Sequence, residues 1–368
     1  MKQMYSLCSQ PGVVLPAFCL ATAFSAGFAS VTPAAQADTP AQATYSIHHG
    51  LTVKDIPQGA KKVRIWFWMP SEDSAQKVLD FAVTQAPAGY KITRDPAYGQ
   101  QYLYCEVNNP TQNSVSVATN FMLQRRAISI ALDPGKSGPL TALHRITFAD
   151  HLRQDTPNMA VDVQTQTLAA QIVGGEANVI ARARKIYDYV VDKAEHYSKG
   201  ETAPKPSKIG SVEYCLTNGG GSCTDMHALF SSLARANGIP TRLYFGSRLQ
   251  AKNEGKDIDP GYRCSVEFFA PNYGWIPLDV AAGDTNPDKK DFYFGGLDER
   301  RVLFNEGRDL DLSPKQEGGR INLVIGAYVE VDGKAHSTWD RTMRFTEIKQ
   351  PTRSAQLAEN GADKERKQ

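Results

Sequence analysis

From about Thr44 to about Asp150 the chain alternates apolar and polar residues in short runs. Ala60–Pro70 reads as a strand stopped by its proline, and Gln101–Val107 and Val115–Leu123 repeat the pattern. Turn clusters at Pro57-Gln58-Gly59, Asp95-Pro96 and Asn108-Asn109-Pro110 separate these runs. The spacing predicts an N-terminal β-sandwich domain over 40–150, with 151–174 as a connector. The period then lengthens. Val179, Ile180, Ala183, Ile186, Tyr187, Val190 and Val191 lie on one stripe and predict a helix over Glu176–Tyr197. A loop rich in Lys, Pro and Gly (199–221) leads to a second stripe, Met226, Leu229, Phe230, Leu233 and Ala236. Asn237-Gly238 and Pro240 end it. Runs at Thr241–Leu249, Cys264–Phe269 and Trp275–Val280 predict antiparallel strands, and Ile321–Val331 a further strand region. Helices followed by such a sheet make the second domain, 175–350, α+β with a C-terminal β extension. Residues 353–368 are charged and aperiodic, and predict a disordered tail.

The first residues follow neither pattern. Lys2 is the only charge before Asp38, an apolar stretch runs from Val13 to about Phe28, and Ala35-Gln36-Ala37 precedes Asp38. This layout predicts a signal peptide over 1–37 and a periplasmic or otherwise exported protein. The apolar run is short for the roughly 20 residues of a spanning helix, so no stable membrane span is expected after its removal. Across 368 residues the net charge is only +2, without a long basic stretch, which argues against a nucleic-acid partner. Removal of 1–37 leaves Cys105, Cys215, Cys223 and Cys264, too few for a disulfide scaffold. One bridge, Cys215 with Cys105 or Cys264, stays open.

The chemistry concentrates at Gly219-Gly220-Gly221-Ser222-Cys223-Thr224-Asp225. A cysteine in the first turn of a helix meets aligned N–H groups and the positive end of the dipole, both of which favour thiolate over thiol. Such a nucleophile needs a base, a group that orients the base, and donors for an oxyanion. Asp279, after Gly274-Trp275-Ile276-Pro277-Leu278, is placed to be the orienting acid. The base is then expected near the start of the partner strand. His48-His49 are adjacent on a strand, point to opposite faces, and do not predict a shared metal. Cys223 and His227 supply only two ligands, so no metal and no cofactor is expected.

Gly221–Phe230, Ala234–Arg242, Val266–Phe269 and Gly274–Asp279 together resemble the core of the bacterial transglutaminase-like superfamily. Residues 292–333 are similar to the segment that follows it in exported members, and the Lys61–Pro70 strand to the β domain often placed in front. The resemblance covers most of the chain and implies a papain-like/transglutaminase-like fold with a Cys-His-Asp triad. Cys223 matches the nucleophile and Asp279 the acid. The family histidine lies four residues before the glutamate of the second block, in a pattern such as His-x-Trp-x-Glu. Here the stretch is Arg263-Cys264-Ser265-Val266-Glu267, with Arg263 at the triad-histidine position. Arginine stays protonated and is no general base near neutral pH. Its charge can still favour a Cys223 thiolate.

Two candidates remain for the base. His227, one turn along the cysteine helix, is either a replacement or a structural neighbour, and His196 ends the preceding helix. His144, His151 and His336 lie outside the core motifs. Asp225 is expected as a buried hydrogen-bond partner, and Cys264 as a packed small residue facing away from Arg263. Two functions stay open. One is thiol-dependent acyl transfer or peptidase-type chemistry at Cys223 with a degenerate triad. The other is a catalytically inactive pseudoenzyme whose cleft binds a protein, peptide-like or cell-wall partner.

Overall fold

A computed structural model describes residues 41–259 and 261–349. The expected signal peptide and C-terminal tail lie outside this range. The fold is α+β, with a sheet-rich N-terminal part. Gln42–Val53 pairs antiparallel with both Val115–Arg126 and Trp339–Glu347, and Gln76–Gln85 joins the far side of Val115–Arg126. A second, five-stranded sheet runs in the order Lys334–Ala335, Ala327–Val331, Lys62–Trp68, Gln101–Asn108, Lys91–Arg94. Leu51, Val53 and Val117 of the first sheet close one core with Val63, Ile65, Phe67, Leu103, Cys105 and Val329 of the second. These residues occupy alternate positions along their strands, as sheet-on-sheet packing requires. The C-terminal strands therefore complete the two N-terminal sheets rather than extend the third sheet described below.

Lys62–Trp68 alternates in sequence, yet both of its faces are buried. The outer face is covered by the 314–330 segment. Trp66 Nε1 donates to the Pro314 carbonyl at 3.1 Å, and Arg64 donates to the Lys315 carbonyl and to buried Glu330. Trp68 stacks on Phe304 of the third sheet, with centroids 4.8 Å apart. His49 lies flat on Phe67 at 4.2 Å and is fully buried, with neither ring nitrogen hydrogen-bonded, while His48 points out to Asn120.

The third sheet has the order Gly274–Leu278, Tyr262–Ala270, Thr241–Arg248, Arg301–Glu306, all antiparallel. Against it packs the helix Cys223–Ala236. Its apolar stripe predicts one buried face, but every residue from Cys223 to Arg235 is buried. The stretch expected as a connector contains a helix, Val163–Val173, capped by Asp162. The loop expected over 199–221 contains another, Val212–Asn218, capped by Ser211. These pack against the central helix, whose buried polar groups find partners with the exception of Ser231 Oγ. Ser232 donates to Met159 O at 2.8 Å, and Arg235 bonds Thr241 Oγ1, Thr241 O and Arg153 O. Each fully buried Leu or Phe on its other side contributes roughly 1.5–3 kcal/mol.

The preceding helix is shorter than its periodicity predicts. It spans Val179–Lys193 with Asn178 as its cap, and Glu195–His196 leave it to pair in parallel with Gly220–Gly221. That early exit carries His196 toward the cysteine helix.

Burial pushes the His49 ring down to about 3, with the Arg341 and His48 charges adding to the effect. A depressed base binds fewer protons folded than unfolded, so its neutral form supports the fold above pH of about 6.5. That support is lost progressively as pH falls from there toward about 3. A tenfold difference in proton affinity between the folded and unfolded chain corresponds to about 1.4 kcal/mol. His49→Phe is expected to flatten the fall of unfolding free energy over this window, measured by urea denaturation at a series of pH values.

Candidate active site

Gly220 and Gly221 adopt φ of +144° and +149°, conformations that side chains rarely tolerate. A Cβ on Gly220 would overlap the Glu195 backbone, and one on Gly221 would run into the Asp225 carboxylate. The glycines thus allow two close approaches at once. One seats the Glu195–His196 segment against the helix entrance, with Glu195 N–H bonding Gly219 O at 2.9 Å. The other folds Asp225 back over the start of its own helix. Asp225 is fully buried and accepts from Ser222 N and Ser222 Oγ, each at 2.8 Å, from Ser211 N at 2.8 Å, and from Ser207. It ties the loop that carries Ser207 and Ser211 to the turn that presents Cys223.

Cys223 sits in that first turn, 2% exposed, and forms part of the wall of a cleft of about 580 Å³. Tyr197, Lys208, Tyr262, Arg263 and Ile325 line the same cleft. The Cys264 thiol, donating to Cys223, is the largest influence holding the Cys223 thiol well below the usual range. Burial opposes it, and the His196 ring and the charges of His227 and Arg263 assist. Cys264 itself is pushed well up, first by burial and then by its bond to Cys223. The pair therefore shares its charge unequally, with the negative charge favoured on Cys223.

Cys264 is buried as expected, but its environment is polar. His227 Nδ1 lies 3.1 Å from its sulfur and Thr224 Oγ1 3.7 Å. His227, fully buried, has its Nε2 3.2 Å from the Val280 N–H, which donates to it, and 3.4 Å from Asp279 Oδ1. Asp279 caps the helix Val280–Thr285, accepting from Ala282 N at 2.8 Å, and pairs with Arg301 at 3.2 Å. Burial alone would raise the Asp279 carboxyl. His227, Arg301 and the Ala282 N–H outweigh it and hold the group well below the usual carboxylate range. Asp279 thus lies beside the His227 ring, whose Nδ1 meets the Cys264 sulfur.

Arg263 is half-buried and donates to the Tyr262 carbonyl at 2.8 Å. It borders both the Cys223 cleft and a neighbouring polar pocket of about 300 Å³ that includes His196, Arg248 and Asp279. His196 lines this polar pocket because the preceding helix ends at Lys193, short of where its stripe would carry it. The other histidines are engaged away from the cleft. His144 caps its own helix, His151 meets Glu306 at 3.3 Å, and His336 bonds Lys54 O at 2.7 Å. The four described cysteines are free, so the bridge left open between Cys215 and Cys105 or Cys264 does not form here.

With this geometry in view, residues 166–280 match the family model of the transglutaminase-like superfamily. The chain carries a transglutaminase-like domain. An uncharacterised protein of Haemophilus influenzae is 26% identical over 320 residues, which cover 77% of this chain and 85% of the relative. Among solved structures, one described as a "putative cysteine protease" from Cytophaga hutchinsonii is similar in fold. It superposes with a TM-score of 0.56 at 15% identity, covering 84% of this chain and 92% of its own.

The polar contact between the two sulfurs makes a direct prediction. Cys264→Ala removes the donor that most favours the Cys223 thiolate, so iodoacetamide should modify Cys223 more slowly at pH near 7. The midpoint of the rate–pH curve should move up, toward the roughly 8.5 of a free thiol. Peptide mass mapping of Cys223 across pH checks this, and Cys264→Ser, which keeps a donor, should shift it less.

Proposed function

We propose that this protein is an exported thiol enzyme that transfers acyl groups from peptide-like substrates, with Cys223 as the nucleophile. The observation that carries the reading is the place of Cys223, in the first turn of a helix and on the wall of an open cleft. A buried thiol ordinarily resists charge, yet this one is held well below its usual range at a helix start beside an open cleft. The thiolate would attack a carbonyl carbon, and the first-turn N–H groups at Cys223 would receive the developing oxyanion. Release of an amine gives a thioester, which water or a second amine resolves. Fold does not choose between hydrolysis and amine transfer. The transglutaminase-like domain supports peptide or protein substrates, and the apolar run and Ala35-Gln36-Ala37 pattern within 1–37 support export to the periplasm or beyond.

A second reading is favoured by one observation, Arg263 at the position where the family motif carries its histidine. On that reading the triad is degenerate, and the cleft binds a protein or cell-wall peptide without turnover. The Asp279–His227 pair, tied up by Val280 N–H and Cys264, would then serve only to fix the helix against the sheet.

The two readings part on a simple acyl donor. Incubation with p-nitrophenyl acetate should give a burst of nitrophenolate matched by acetylation of Cys223, absent in Cys223→Ala. A wild-type protein in which Cys223 stays unacetylated, while other cysteines react normally after unfolding, would establish the binding-only reading.

A further inference from the structure

The polar pocket beside the Cys223 cleft carries more positive charge than the protein around it neutralises. Strand register builds this surplus. Arg263 pairs with Gly246, and Arg248, two residues further along the same strand, pairs with Arg301, so the three arginines share one face of the third sheet. Two carboxylates answer them. Asp298 accepts from Arg248 at 2.8 Å and from Arg301 at 3.3 Å, and Asp279 pairs with Arg301 at 3.2 Å. Asp279 is the one acid among the described residues that line the pocket, and its oxygens are already engaged by Arg301 and the Ala282 N–H. Asp298 and Asp279 thus balance Arg248 and Arg301. Arg263, which donates to the Tyr262 carbonyl, and exposed Lys252 face the pocket without a carboxylate partner among the described residues. Hydrogen-bond donors are in surplus too. The Ser198 N–H given to His196 Nδ1 puts the neutral ring's proton on Nε2, and neither that buried N–H nor the Arg248 Nε–H has an acceptor among the described residues.

From this surplus we infer that the pocket is a carboxylate subsite of the Cys223 cleft, and that the substrates are peptides with a carboxylate close to the carbonyl that acylates the sulfur. The inference rests on the reading of that cleft as the substrate site. Arg263 joins the two cavities, since it lines both. A peptide laid in the cleft of about 580 Å³ can therefore place one acidic group in the pocket of about 300 Å³. A guanidinium offers its N–H groups in a planar fork that matches the two oxygens of a carboxylate, and the Lys252 ammonium adds a point charge. Carboxylates are the anions that an unmodified peptide brings, on an acidic side chain or at its C-terminus. Arg263, standing where the family motif carries its histidine, then serves substrate recognition rather than proton transfer.

Titration calorimetry on the intact Cys223→Ala protein reads binding without turnover. Three probes differ only in their charge: acetyl-Ala-Glu-Ala-amide has a side-chain carboxylate, acetyl-Ala-Ala-Ala a C-terminal one, and acetyl-Ala-Gln-Ala-amide none. One of the two carboxylate peptides should bind at least about tenfold tighter than the neutral one, the low end for a hydrogen bond to a charged group. Which of them does so identifies the source of the carboxylate. Added salt, Lys252→Gln and Arg263→Gln should each draw that preference toward unity. Equal affinities, no binding of any probe, or a preference that both substitutions leave intact overturns the subsite. In the wild-type protein the preferred peptide should slow iodoacetamide modification of Cys223, and a peptide that binds without protecting the thiol overturns it as well. Failure of the nucleophile reading looks different. Cys223 then resists acetylation by p-nitrophenyl acetate while the carboxylate preference persists, which upholds the pocket in a cleft that binds without turnover.

Discussion

Two glycines at the mouth of a helix bear much of this architecture. Gly220 and Gly221 have backbone angles that side chains avoid, and no side chain fits between Gly220 and Glu195 or between Gly221 and Asp225. Because they are bare, a short parallel pairing can form where a longer helix would otherwise continue. The same contact stops Val179–Lys193, turns His196 inward, and leaves the Asp225 carboxylate room to collect donors from Ser207, Ser211 and Ser222. The entrance to the cysteine helix is thereby fixed from three directions. A thiol placed there meets the end of the helix dipole in a setting with little freedom to relax.

Two polar arrangements lie beside the entrance to the cysteine helix. The first runs from Arg301 through Asp279 and His227 to Cys264, and in it Arg301 Nε is left without a partner. Such a chain rigidifies the junction of helix and sheet, and it lends a donor to the Cys223 sulfur. The second is short, His196 with Ser198. It contains an unpaired nitrogen.

Much of the fold was legible in the sequence. Period-two runs at Ala60–Pro70, Gln101–Val107 and Val115–Leu123 correspond to strands, and the Met226–Ala236 stripe to the central helix. What periodicity missed has physical reasons. The helices at 163–173 and 212–218 are short and begin in polar text, so only their caps, Asp162 and Ser211, mark them. The return of Ala327–Val331 to Lys62–Trp68 joins residues more than 250 positions apart, which no local pattern encodes. The site was legible in part. Gly-Ser-Cys at a helix start and Asp279 after a Gly-Trp strand carried clear signals, and the structure brings both to one region. The neighbourhood of His196 was hidden because its stripe read on as helix through Tyr197. The one cue was the Gly219-Gly220-Gly221 run, whose permissiveness implies that something comes close.

Everything at this site turns on the charge state of one sulfur. Selective ¹³Cβ-cysteine labelling and NMR titration of the intact protein reads that state without adding a reagent. A nucleophilic Cys223 should show the thiolate shift at neutral pH and change only on acidification, well below the roughly 8.5 of a free thiol. A Cys223 resonance that remains thiol-like through neutrality, titrating at or above about 8.5, would contradict it.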